Sequence, residues 1–304
     1  MNSQLKYVYS KLVKALPKGS VFKNESLKKH TSFKIGGNAS VFVIVNSLEE
    51  IVLTLDILSA KKTKYFIMGN GTNLLFDDNG FEGVVVKISS KYNQMYCKGN
   101  KIVCASGATL NALCNFASEK GLSGLECAYG IPGSVGGAVY MNASAFDYET
   151  KNLVSSVLAI IDGKIKLLEN LQCEFDYRQS IFSKLKNAII LQVEFTLKKG
   201  NKKEINNKML SIMALRKEKQ PLNYPSAGCV FKQHSKINVS KVIDEDGLKG
   251  FTIGGAQISK KHSNFIVNVN NASCADVLNI IKYIKNHFLT KYGIEIECEV
   301  KYIK

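Results

Sequence analysis

Residues 129–146, YGIPGSVGGAVYMNASAF, and residues 68–76, MGNGTNLLF, decide how the rest of the chain is read. Each is a glycine-bearing loop beside apolar sequence; the second follows directly on the short apolar run Lys64–Met68, and the first spaces Gly130, Gly133, Gly136 and Gly137 closely. Glycine permits positive φ and removes the Cβ, so backbone N–H groups in such loops can cradle phosphate oxygens. A plain tight turn explains either loop alone equally well. Neither fits G-x-G-x-x-G, because 68–76 lacks the third glycine and no helical pattern follows it, and neither fits G-x-x-x-x-G-K-[ST], because no lysine follows the glycines. A Rossmann dinucleotide site and a P-loop are therefore disfavoured, while a pyrophosphate-bearing ligand and a pair of structural turns both remain open.

Working outward, Ser47 and Glu50 form a capping box before Leu48–Lys62, where Leu48, Ile51, Val52, Leu55 and Leu58 share one helical face. Lys64–Met68 and Phe81–Ile88 read as strands, and Thr109 caps a helix, Leu110–Lys120, closed by Gly121. Residues 154–197 are strand-rich, with an Asp162-Gly163 hairpin turn. After the polar break 198–203 comes an amphipathic helix near 205–219, halted by Pro221; that break predicts a domain boundary at residue 200. Beyond it lie a short helix over Ser240–Asp246, strands near Phe251–Ile258 and Asn264–Val269, and a long helix opened by a Ser273/Asp276 box and stopped by Gly293. A last strand, Ile294–Ile303, would place Glu295, Glu297 and Glu299 on one face. The irregular alternation of helix and strand, without a repeat, is an α+β pattern.

The chain has 304 residues, 45% hydrophobic and 22% charged, which is globular rather than disordered or coiled-coil composition. Apolar runs such as Val41–Val45 end far short of the ~18 residues a membrane span needs. The N-terminal MNSQLKYVYSKLVKALPKGS alternates lysine with apolar residues and lacks a signal-peptide core, so no membrane and a cytoplasmic location are expected. Net charge is +16, yet the densest basic cluster, KKGNKKEINNK at 198–208, is diluted by Gly, Asn and Glu and carries no aromatics for base stacking. A solvated lysine surface is expected, and no nucleic acid. Arginine occurs only at 178 and 216. Where lysine supplies nearly all the charge, a retained arginine is a candidate for two-pronged carboxylate or phosphate binding. No two of the eight cysteines have metal-ligand spacing, and no metal is expected.

Seven segments carry a resemblance: HTSFKIGGNA at 30–39, MGNGTNLL at 68–75, GIPGSVGGAVYMNASA at 130–145, DYRQSIF at 176–182, SAGCVFK at 226–232, GGAQISKKHSNFIVN at 254–268 and ECEVKYI at 297–303. Their order resembles that of the UDP-N-acetylenolpyruvoylglucosamine reductases, in the shorter, second-class form without an inserted tyrosine lid. The resemblance implies a two-lobed FAD-binding domain of the vanillyl-alcohol-oxidase/PCMH type (1–92 and 93–200) followed by a small α/β substrate-binding domain (201–304). It implies bound FAD, NADPH as transient co-substrate, a UDP-sugar substrate and reduction of its enolpyruvyl ether in peptidoglycan synthesis, by a chain expected to be a monomer. Another FAD-dependent oxidase or dehydrogenase of the same fold is the alternative.

By the same resemblance, Gly69, Asn70, Gly71, Thr72, Asn73 and Leu74, with Gly130, Ile131, Pro132, Gly133, Ser134, Gly136, Gly137, Ala138 and Asn142, would hold FAD, and Ile35–Gly37 would belong to the same lobe. Cys229 matches the proton donor; a thiol with an ordinary pKa of about 8.5 is protonated at neutral pH. Arg178 matches the arginine near the substrate carboxylate, and Glu299 the glutamate that polarises the substrate. Lys232, Gln233 and His262 fall in substrate-contacting segments, whereas Arg216, among lysines, reads as a solvated helix face. Gln233-His234 and Ser144 depart from the commoner Asn-Pro and Gly of the family.

Overall fold

A computed structural model describes residues 1–185 and 187–304. The chain divides into two compact units, one built from Met1–Phe22, Val41–Asn70 and Gly83–Leu215, the other from Lys23–Ser40, Gly71–Glu82 and Arg216–Lys304.

The first unit holds two cores. In one, helix Ser3–Ala15 buries Leu5, Val8 and Leu12, a three-to-four-residue stripe hidden in the sequence among lysines; the Asn2 side chain caps it by accepting the Leu5 N–H. Helix Leu48–Ser59 packs in the same core with Val41, Val43, Val45, Val84 and Val86. Ser47 accepts the Glu50 N–H at 3.2 Å, but the Glu50 carboxylate takes the Asn46 N–H at 2.7 Å, so the return bond of the expected box falls one residue earlier. Strands Tyr65–Met68 and Phe81–Ile88 run parallel, with Met68 opposite Lys87.

The other core lies on a five-stranded antiparallel sheet in the order Lys164–Glu169, Val154–Ile161, Ile189–Thr196, Lys101–Ala105, Met95–Lys98. Asp162 and Gly163 both take positive φ, 53° and 73°, as a tight hairpin requires. Thr109 caps helix Leu110–Glu119 as expected, accepting the Ala112 N–H at 3.1 Å. In place of a boundary at residue 200, helix Lys202–Lys219 sends Ile205, Met209 and Ile212 into this core, and the first unit runs to Leu215. The polar break is a surface turn, because the helix that follows docks backward onto the sheet before it.

In the second unit, strands Ser226–Cys229, Phe265–Asn268, Ala256–Ile258 and Thr252–Ile253 form a sheet in that order, and helix Cys274–Tyr292 supplies Val277, Ile280, Ile284 and Phe288 to the core. Phe33, Ile35 and Leu75 lie in the same core, so Ile35–Gly37 belongs here and not with the nucleotide lobe expected from sequence. The Ser273/Asp276 box forms as expected. To it the Asp78 carboxylate adds bonds from the Cys274 and Ala275 N–H groups, at 2.8 and 3.0 Å. The expected strand 294–303 shrinks to Lys301–Ile303, paired parallel with Leu74–Phe76. Upstream, an isolated Phe231–Cys298 bridge, with main-chain bonds on either side of it, joins the segment to residues 229–232. Among the described residues no helix is long and apolar enough to cross a membrane.

Candidate functional site

In the first unit the two glycine loops meet. Asn70 donates to the Pro132 carbonyl at 3.1 Å, and a Cβ on Gly69 would run into Ser134 Oγ. Gly136 approaches Ser106 closely: its N–H donates to the Ser106 carbonyl at 2.8 Å, and a Cβ there would meet the Ser106 Cβ at 2.9 Å. These glycines let two backbone segments touch. Ser134 Oγ also accepts the Gly137 N–H at 3.2 Å and opens the short helix Val135–Tyr140. Beside the loops, Ser106 Oγ is buried and has no hydrogen-bond partner among the described residues. An unmet buried hydroxyl costs stability, so a polyoxygenated ligand at this place would be favoured. Gly69, Asn70 and the 130–138 segment thus fit the pyrophosphate and ribityl chain of FAD. Gly71, Thr72, Asn73 and Leu74 continue the first loop in the second unit.

Asn142 does something else. It is 1% exposed, and its amide donates to Glu149 Oε1 at 3.0 Å and to the Asp176 carbonyl at 2.9 Å, while its own oxygen accepts the Lys151 N–H at 3.0 Å. The carboxamide is bonded inside the protein, where it holds the turn at 176–179. That turn carries Arg178, half-buried with φ 57°. The Asp176 and Gln179 backbones bond reciprocally at 3.0 and 3.2 Å. The Arg178 Nη1 donates to Ser144 Oγ at 2.6 Å and to the Ser144 carbonyl at 3.1 Å.

Cys229 and Glu299 belong to the second unit and sit on neighbouring segments. Cys229 ends a strand, opposite Phe265, directly after Gly228 with φ 77°. The next residue's carbonyl, that of Val230, accepts the Glu299 N–H at 2.7 Å, and the Lys232 N–H donates to the Glu297 carbonyl at 2.9 Å. Two asparagines make this arrangement rigid. Buried Asn264 bonds the Phe231 main chain in both directions, at 2.9 and 2.8 Å, and Asn73 donates its amide to the Glu299 carbonyl at 3.2 Å. Asn73, expected at the cofactor, places Glu299 through one amide N–H. Cys229 and Glu299 are both half-buried.

Lys232 pairs with Glu297 at 2.7 Å, and the ammonium holds that carboxyl below its ordinary range. Such an exposed pair is worth little, so a ligand anion can displace it. Gln233 Oε1 accepts the Val239 N–H at 3.1 Å and anchors helix Val239–Glu245. Burial pushes the His262 pKa down, favouring the neutral ring. Its Nδ1 accepts the Asn264 N–H at 3.3 Å, which leaves the proton on Nε2, and the ring packs 4.8 Å from that of Phe265. Arg216 overturns the expectation of a solvated face, being only 4% exposed. Its flanking lysines masked a position on the buried side of the helix.

Comparison with known proteins bears on these two units. The C-terminal domain model of UDP-N-acetylenolpyruvoylglucosamine reductase matches residues 220–303, and an FAD binding domain matches residues 39–166. The chain is 44% identical over 294 residues to the UDP-N-acetylenolpyruvoylglucosamine reductase of Caldanaerobacter subterraneus subsp. tengcongensis, covering 96% of this chain and 97% of that one. With the reductase of Clostridium novyi the identity is 41% over 298 residues, covering 97% and 96%. A crystal structure of the reductase from Thermus caldophilus, 32% identical, aligns with a TM-score of 0.80 over 93% of this chain and 98% of that chain. With identity of this level along nearly its whole length and an FAD-binding domain in the matching place, the chain belongs to the UDP-N-acetylenolpyruvoylglucosamine reductase family.

Proposed function

We propose that this enzyme reduces the enolpyruvyl ether of UDP-N-acetylglucosamine enolpyruvate to UDP-N-acetylmuramate, a peptidoglycan precursor, with NADPH as reductant and Cys229 as proton donor. FAD, which Gly69, Asn70 and the 130–138 segment would hold, would supply the hydride chemistry that links NADPH to the terminal enolpyruvyl carbon, where a new C–H bond forms. As that C–H bond forms, the π bond breaks and its electron pair moves to the neighbouring carbon and into the carboxylate. Arg178 is assigned to that carboxylate, where a guanidinium can meet both oxygens as charge builds. The Cys229 thiol gives its proton to the neighbouring carbon, and the thiolate left behind is reprotonated from solvent. Glu299 orients the donor and the substrate. Lys232, freed from Glu297, and the neutral His262, donating through Nε2, are assigned to the anionic and polar parts of the UDP-sugar.

The observation that carries this reading is the main-chain lock between the Cys229 and Glu299 segments, which puts an acid and a carboxylate on adjacent, rigid backbone. Preorganisation of this kind is what proton delivery to a short-lived carbanion needs. The three-part division into two nucleotide lobes and a substrate domain is retained as a functional division, the two cores of the first unit answering to the two lobes. The test is an anaerobic visible titration of the purified protein. NADPH should bleach a bound flavin, and the UDP-enolpyruvyl-sugar should then restore its colour. A flavin that bleaches yet stays reduced in the presence of that sugar would overturn the proposal.

A further inference from the structure

We propose that Ser144 is a positioning residue for Arg178, its hydroxyl fixing where the guanidinium points. The inference rests on the role given to Arg178 above. Two bonds reach Ser144 from one guanidinium nitrogen, Nη1: 2.6 Å to Oγ and 3.1 Å to the carbonyl. The carbonyl bond survives any substitution at 144, so the hydroxyl bond is the part this residue type adds. It is short and charge-assisted, the stronger class of hydrogen bond. The backbone at each end is already held. Ser144 pairs with Glu149 in a two-residue hairpin strand, and the turn bearing Arg178 is tied by the reciprocal bonds of Asp176 and Gln179 and by Asn142. With both backbones fixed, the long arginine side chain can still rotate, and the Oγ bond restricts that rotation beside the Tyr177 ring, over which the guanidinium lies at 5.5 Å. A guanidinium whose rotation is restricted is pre-oriented for two-pronged recognition of a carboxylate.

The experiment separates the two half-reactions by stopped flow on the FAD-loaded enzyme. Ser144→Ala should leave flavin reduction by NADPH unchanged and slow reoxidation by the UDP-enolpyruvyl-sugar about ten-fold, a loss in kcat with little change in KM. Ser144→Thr, which keeps the hydroxyl, should restore most of that rate. In the double variant with Arg178→Ala, replacing Ser144 should have no further effect. If Arg178→Ala slows reoxidation but Ser144→Ala does not, the positioning role is refuted while the role of Arg178 stands. If Arg178→Ala itself reoxidises at the wild-type rate, the role of Arg178 falls first. Equal slowing of both half-reactions by Ser144→Ala would mean a packing role and would also overturn the inference.

Discussion

Asn142→Ala should unfold the first unit's turn network rather than merely loosen FAD. The buried carboxamide makes three hydrogen bonds, to Glu149, Asp176 and Lys151. At about 1 kcal/mol each, their loss amounts to about 3 kcal/mol. The residue also sits at φ 43°, a left-handed conformation that asparagine tolerates and alanine resists by roughly 1 kcal/mol. A total near 4 kcal/mol is a large share of the stability of most domains. Urea unfolding followed by far-ultraviolet circular dichroism, with and without added FAD, measures it directly. Asn142→Asp adds a carboxylate 3.0 Å from where Glu149 Oε1 lies. Its like-charge neighbour would raise the new pKa, so this variant should regain stability as pH falls through that raised value. The reasoning is refuted if Asn142→Ala unfolds at the wild-type urea concentration and shows only a weaker flavin affinity, for then the side chain faces the cofactor.

Cys229→Ala should bleach normally with NADPH but reoxidise with the UDP-enolpyruvyl-sugar ~10²-fold more slowly, and Cys229→Ser should be milder because a hydroxyl can also deliver the proton; stopped-flow absorbance reads both, and a rate matching wild type in the alanine variant would remove Cys229 from the chemistry. In the second unit, Lys291, His287 and Tyr292 all bond the Asp246 carboxylate and lower its pKa from an ordinary 3.8 to about 2. A depressed folded-state value means that the stabilisation is complete above about 3.8 and lost as pH falls through about 2. Urea midpoints of the wild type should therefore exceed those of Asp246→Asn at neutral pH and converge with them towards pH 2, and a gap that stays constant across that range would contradict the assignment.

Sequence alone made the local signals legible. Thr109 and Ser273 cap the helices they precede, and Asp162-Gly163 turns the hairpin, because each acts on groups within three residues of itself. The glycine loops and the Cys229, Arg178 and Glu299 motifs are legible as a family pattern through resemblance, which reads their order and not their geometry. What stayed hidden depends on partners distant in the chain. Asp78 caps a helix that starts 196 residues later, and Asn73 reaches a carbonyl 226 residues away. The apolar stripe of helix Lys202–Lys219 is visible in the sequence, but periodicity cannot say which core takes it, and so the polar break predicts a boundary before the helix where the first unit ends within it. The burial of Arg216 is hidden for a related reason: charge density along a sequence does not reveal which face of a helix is turned inward.

The way the second unit is threaded also sets the order in which it can be made. Asp78 leaves the ribosome 196 residues ahead of Cys274, and the Phe33 carbonyl 235 residues ahead of the Asn268 amide that binds it. Segments 23–40 and 71–82 must wait, with Phe33, Ile35 and Leu75 still uncovered, until the later part of the chain arrives. During that interval the nascent protein carries exposed apolar side chains that its own first unit does not own. Slow translation or a shortage of chaperone should therefore harm this enzyme by aggregation before completion more than by any weakness of the finished fold.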